Sequence, residues 1–171
     1  MINLRDIPTL YLDYQKAIRL FHPNAHKYLL SSLLVGIYIA IYNVLYNLYL
    51  VNLGFGENVI GDIIGAYALG TSLGGIPASI FYSRRGGKFN FAISVLLMCF
   101  TLALRATIVS RLWLILLAVL GGLANSFYFV SIFPYISTQS TPEERSYLFG
   151  SNMAVWTGSA IVGSFLAGQL P

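Results

Sequence analysis

The chain has 171 residues, of which 57% are hydrophobic and only 9% charged, with a net charge of +4 and a mean hydropathy of +0.72. A typical soluble domain is about 25% charged, so the charges here are too few to clothe a water-facing globule, and lipid must be the solvent for most of the chain. The single cysteine, Cys99, gives neither a disulfide framework nor a metal pattern.

Residues 1–27 carry mixed charge and no cleavable signal pattern, and read as a cytoplasmic segment. Within it Leu10, Tyr14, Ala17, Ile18 and Phe21 share one helical face, which suits a helix lying in the membrane interface. His22 and His26 stand four apart, but Pro23 and Asn24 intervene and no third ligand is in sight, so no metal is expected. Five charge-free runs follow: Tyr28–Gly56, Ile63–Ser83, Phe89–Leu104, Leu112–Pro142 and Ser146–Pro171. A helix needs about 20 apolar residues to cross the hydrocarbon core. Four runs exceed that, and the third reaches it if Arg105 snorkels to the interface and the helix continues to Val109. The expectation is an all-α, polytopic transmembrane helix bundle with spans at about 29–51, 59–82, 89–109, 112–136 and 147–169.

The first span presents Tyr38, Tyr42, Tyr46 and Tyr49 within an arc of about 80°, with Asn43 and Asn47 on a neighbouring face. The second carries Ala66, Gly70, Gly74 and Ala78 at four-residue spacing, a pattern that lets helix backbones approach closely. Pro77 in the second span and Pro134 in the fourth each deprive a carbonyl one turn back of its donor, which predicts a bend at both. The fourth span groups Asn125, Tyr128, Ser131 and Tyr135. In the fifth, Asn152, Trp156, Ser159 and Gly163 align, and small residues recur as Ser159, Gly163, Ala167 and again as Ala160, Ser164, Gly168. Polar side chains at membrane depth face either other helices or a water-filled cavity. The stripes therefore fit interhelical packing with an interfacial aromatic belt, or a shared cavity lined by Tyr38, Tyr42, Asn43, Asn125, Tyr128, Asn152 and Trp156. Gly70, Gly74, Gly163 and Gly168 are the expected helix-packing positions.

The connections map topology. If alternate loops lie on opposite sides, the N-terminal segment, the 83–88 loop and the 138–145 loop hold eight Lys/Arg against two opposite, which places the first side in the cytoplasm. The charges thus orient the chain and point to no nucleic-acid partner. In "TPEER", Thr141 reads as an N-cap, Pro142 as the first helical residue and Glu144 as the third, a capping box that leaves Glu143 and Glu144 no catalytic role.

The segment "SIFYSRRGGK", between the second and third spans, resembles the cytoplasmic loop signature of the major facilitator superfamily. Ser79 stands at its first glycine and Ser83 at its aspartate; Arg84 and Gly86 match, Gly87 replaces a basic residue, and Lys88 matches. Gly86 suits a tight turn that needs positive φ. "NLYLVNLGFGENVIGDIIGAYALG" and "STPEERSYLFGSNMAVWTG" also look like the first half of such transporters, and the likeness covers residues 24–171.

The resemblance implies five spans of an N-terminal six-helix domain, residues 28–171, in a secondary transporter with two halves. It implies a cytoplasmic gate at Ser79, Ser83, Arg84, Gly86 and Lys88, altered because Ser83 cannot carry the aspartate's charge. The antiporter glycine pattern is incomplete, with Ser164 at its proline, and no Asp or Glu lies mid-span to carry protons. The expected partners are the lipid bilayer, a small uncharged or amphipathic organic solute, and a missing C-terminal half of the same transporter; no cofactor and no enzymatic constellation is expected. On this reading helices 2 and 5 expose packing faces that nothing in the chain receives, and the polypeptide is a fragment, inactive alone, of a prokaryotic plasma-membrane carrier, with efflux among the directions open to it. The alternative is a small polytopic subunit that uses those faces to dock a partner.

Overall fold

The computed structural model describes residue 18 and residues 21–170, so the interfacial helix expected within residues 1–27 falls largely outside the described residues. The described chain is all-α: α1 (Pro23–Asn52), α2 (Glu57–Arg85), α3 (Gly87–Thr107), α4 (Arg111–Thr138) and α5 (Pro142–Gly168). The first four are long and apolar enough to cross a membrane. At 27 residues, α5 has the length, about 40 Å at 1.5 Å per residue, but is less apolar. Its first turn holds Glu143, Glu144 and Arg145, and its body is rich in Gly, Ser and Asn.

Each helix starts before its expected span, because an uncharged run measures hydrocarbon thickness while a helix continues into the interface. At their far ends α3 and α5 stop early, at Thr107 instead of 109 and at Gly168 instead of 169. The expected loop at 83–88 shrinks to one residue. Gly86, at φ 80° and ψ 170°, separates α2 from α3, and its N–H donates to the Tyr82 carbonyl at 2.9 Å. A β-carbon would be strained at that φ. Arg84, Arg85 and Lys88 therefore belong to helix ends and not to a loop. At the start of α5 the capping box forms as expected: the Glu144 N–H donates to Thr141 Oγ1 and the Thr141 N–H to Glu144 Oε2, each at 3.3 Å. Both α2 and α4 run through their prolines as continuous helices.

Two compact units divide the chain, Met1–Tyr46 with Ile136–Pro171 and Asn47–Tyr135. In the second, α2 lies against α4. The small face Ala66, Gly70, Gly74 and Ala78 is buried, while Ile64, Leu69, Leu73 and Ile76 point outward. A β-carbon on Gly70 would strike the Val119 carbonyl, and one on Gly122 would strike the Tyr67 carbonyl. Contacts rise together along both helices, from Gly70 with Val119 to Gly74 with Leu123 and Ser126, so α2 and α4 run parallel. The Ser126 hydroxyl donates across this seam to the Thr71 carbonyl.

In the first unit α1 and α5 pair in the same manner. Gly36 abuts Ser159, and Gly163 sits against Ala40 and Ile37, again a parallel register. The expectation that the small faces of helices 2 and 5 go unreceived is thereby overturned: α4 receives one and α1 the other. Gly168 is a correction too. It is exposed with nothing within 4 Å of a built β-carbon, and so are its stripe-mates Ala160 and Ser164 exposed, because α5 buries the Ser159–Gly163–Ala167 face.

Candidate functional site

The structure turns α3 inside out relative to a soluble helix. Its buried residues are Asn90, Ser94, Thr101 and Arg105, while Val95, Leu96 and Phe100 are exposed. Where lipid is the solvent, apolar side chains gain nothing by hiding from it, and polar ones retreat to the protein side. Asn90 is wholly buried, and its Nδ2 donates to the Ala78 carbonyl at 3.0 Å, tying α3 to α2 just past the Gly86 turn. Sequence reasoning passed over this residue; the signal was the polar spacing 90, 94, 101, 105, which falls on one helical face.

At the other end of α3, Arg105 is 7% exposed and its Nη2 donates to the Leu117 carbonyl at 3.0 Å. It does not snorkel to the interface as expected, because α4 offers that carbonyl and Gly121 leaves room for the guanidinium, which lies 3.1 Å from where a β-carbon would be. Nearby in chain order, Arg111 pairs with Asp62 at 2.6 Å, joining the start of α4 to the first turns of α2. Both side chains are about half exposed, so the pair contributes roughly 0–1 kcal/mol.

The residues expected at the gate lie toward the α2–α3 turn. Ser79 and Ser83 each donate their hydroxyl proton to a carbonyl of their own helix, Ile76 and Ile80, at 2.8 Å, and keep only lone pairs for other partners. Arg84, Arg85 and Lys88 are exposed, and the Arg85 guanidinium lies 5.5 Å from the centroid of the Phe89 ring. No carboxylate pairs with these three among the described residues. Arg84 and Arg85 complement the negative C-terminal dipole of α2. At Gly87 a side chain would press on the Tyr82 ring at 3.1 Å, which gives the substituted basic position a steric reason.

The candidate cavity residues divide between the units. In the first, Tyr38, Tyr42 and Tyr46 form a ladder of rings with centroids 6.3 and 5.3 Å apart, Asn43 is exposed, Trp156 is half-buried and Asn152 is 4% exposed. In the second, Asn125 is buried, and Tyr128 meets Phe91 edge-on at 5.6 Å, as does Tyr135 at 6.4 Å. Of the two meanings open to the polar stripes, packing accounts for Ser131, which donates to the Phe127 carbonyl, and for Ser159, which donates to the Val155 and Trp156 carbonyls. His22 accepts the Asn24 N–H at Nδ1, and His26 lies beside Phe21.

No curated protein and no solved structure matches the chain. The profile of the Major Facilitator Superfamily matches residues 28–170. That match takes in all five helices but the first turns of α1, together with the Gly86 turn and the helix ends that carry Arg84 and Lys88. The chain belongs to the major facilitator superfamily, a family of secondary transporters and not of enzymes.

Proposed function

We propose that this chain works as part of a carrier that moves a small uncharged or amphipathic organic solute by alternating access, one lobe rocking against another about a central site. The observation that carries this reading is the set of polar and aromatic side chains at mid-helix without an acidic residue among them: Tyr38, Tyr42, Asn43, Asn125, Tyr128, Asn152 and Trp156. A charged solute would require a counter-charge at that depth, and the acidic residues of the described helices, Glu57, Asp62, Glu143 and Glu144, all stand near helix starts. Export is the proposed direction. The proposed setting is a prokaryotic plasma membrane, with the N-terminus in the cytoplasm, since the basic residues cluster on that side. The second lobe required for a complete cycle is proposed as a further part of the same transporter.

On this reading the α2–α3 turn belongs to the cytoplasmic gate, with Ser79, Ser83, Arg84, Gly86 and Lys88 as its elements. Ser83 is spent on its own backbone, so Arg84 and Lys88 supply the charge that seeks a partner across the gate. Arg84→Ala in the full transporter is expected to slow solute exchange about tenfold or more, while equilibrium binding changes less than about twofold. Counterflow in proteoliposomes beside a direct binding titration separates the two. If affinity falls with the cycling rate intact, the gate assignment is wrong.

A further inference from the structure

Two polar side chains in the first unit, one on α1 and one on α5, are buried and unbonded. Ser32 is 1% exposed and Asn152 is 4% exposed; neither Ser32 Oγ nor Asn152 Oδ1 has a hydrogen-bond partner. Buried polar atoms are almost always paired, and two other wholly buried serines follow that rule, although the Ser151 hydroxyl beside Asn152 is unpaired as well. Ser131 and Ser159 each donate to a carbonyl of their own helix. Ser32 forgoes that bond.

The helix register shows where the two groups lie. Along the parallel α1–α5 seam, Gly36 stands opposite Ser159, and Ala40 opposite Gly163. One four-residue step back on each helix brings Ser32 level with Val155, and Asn152 is less than one turn below that on the buried α5 face it shares with Ser159 and Gly163. Counted from the starts of the expected spans at 29 and 147, Ser32 is about 5 Å and Asn152 about 8 Å in, at the entrance of the seam. A hydroxyl able to donate and an amide oxygen able to accept are thus held near one another and do not bond to each other.

The structure assigns a hydroxyl-binding subsite here, and we propose that Ser32 and Asn152 bind one –OH group of a neutral polyol or alcohol. The guest hydroxyl accepts from Ser32 Oγ and donates its proton to Asn152 Oδ1. A neutral guest is favoured over a cation because neither group is charged and no acidic side chain stands on α1; on α5 the acids lie in the first turn, seven or more residues from Asn152. The small residues Gly36, Ala40 and Gly163 close the seam above the subsite, so the guest's reach is set from the Ser32 end. This deepens the proposed transport of an uncharged solute, and rests on that reading, by naming its chemical class.

Trp156 borders the seam, with Cε3 3.8 Å from a built Gly36 β-carbon, and serves as an optical reporter once Trp113→Phe removes the other tryptophan. The full chain in phospholipid vesicles is titrated with xylitol, glycerol and 1-butanol, and with fully O-methylated xylitol as control. A saturable change in Trp156 emission is expected with at least one hydroxyl probe and not with the methylated control. Loss of one hydrogen bond should weaken it about tenfold in Ser32→Ala and likewise in Asn152→Leu, and the double variant, which loses both bonds to the same guest, should bind more weakly than either single. Helical circular dichroism confirms that each variant is folded, and Ser32→Cys, which keeps a weak donor, should fall between native and Ser32→Ala. No saturable response to any hydroxyl probe, an equal response to the methylated control, or variants that bind like the native chain would overturn the subsite, the last also being the outcome if only water occupies it. Uptake of the responding probe by the full transporter, its second lobe included, separates the two proposals. Binding without uptake retains the subsite and contradicts the carrier reading; uptake whose half-saturation is unmoved in Ser32→Ala retains the carrier and removes the subsite.

Discussion

Gly122→Ala is expected to destabilise the α2–α4 pair by about 2–3 kcal/mol, an effect out of proportion to one methyl group. The new carbon would land on the Tyr67 carbonyl and 2.6 Å from the Thr71 nitrogen. Both obstacles are backbone, so no side chain can swing aside and the helices must separate. Separation costs the dispersion contacts that hold membrane helices together, since lipid removes the hydrophobic drive between them. It also pulls the Ser126 hydroxyl from the Thr71 carbonyl. Gly65 on α2 supplies the control. It has nothing within 4 Å of a built β-carbon, so Gly65→Ala should be neutral or stabilising by up to about 1 kcal/mol through helix propensity. Denaturant titration in bicelles, following helical signal, should give shifts of opposite sign for the two variants. Equal shifts would mean that α2 and α4 are not in backbone contact.

Arg105→Glu is expected to abolish recovery of folded protein altogether. The guanidinium is buried and donates to the Leu117 carbonyl; a carboxylate in its place would face that oxygen with no proton to give, in surroundings where an unpaired charge costs several kcal/mol. Arg105→Met should fold, because its thioether fills the space without a charge, but lose roughly 1–3 kcal/mol for the missing charge-assisted bond. The pocket for the arginine depends on Gly121, so Gly121→Val should injure the protein in the native background more than beside Arg105→Met. Size-exclusion profiles in mild detergent rank the variants. A monodisperse Arg105→Glu protein would show that this end of α3 is wet and that the arginine is not enclosed.

Hydropathy located the helices and left their faces undecided. Charge-free runs found all five to within a few residues, and local chemistry found the Gly86 turn and the Thr141–Glu144 capping box, because those depend on φ and on hydrogen bonds within four residues. What escaped was orientation. In water a helix advertises its buried side by being apolar there; in lipid both surroundings are apolar, and only small and polar residues mark the inside. The buried row Asn90, Ser94, Thr101, Arg105 on α3 and the small row Ser32, Gly36, Ala40 on α1 were legible in those terms and were read past. On α5 two interleaved small-residue rows offered equal claims, and spacing alone gave no reason to prefer Ser159–Gly163–Ala167 over Ala160–Ser164–Gly168. Arg105 was assigned to the interface because its nearness to a helix end was visible and the Leu117 carbonyl, twelve residues on, was not. For the site, the sequence picked out Asn152 but not Ser32, since a serine inside an apolar run ordinarily bonds its own helix and carries no signal.

The central claim is that α1 to α5 cross the bilayer in alternation, with the α2–α3 turn and the start of α5 on the cytoplasmic side. Single cysteines in a Cys99→Ser background, at Lys88, Glu143, Gly54, Val109 and Gln169, test it with a membrane-impermeant maleimide applied to intact cells and to inverted vesicles. The account predicts that positions 88 and 143 react only in inverted vesicles, and that 54, 109 and 169 react in intact cells. Labelling of 88 and 143 from opposite sides, or of 143 and 169 from the same side, would contradict it.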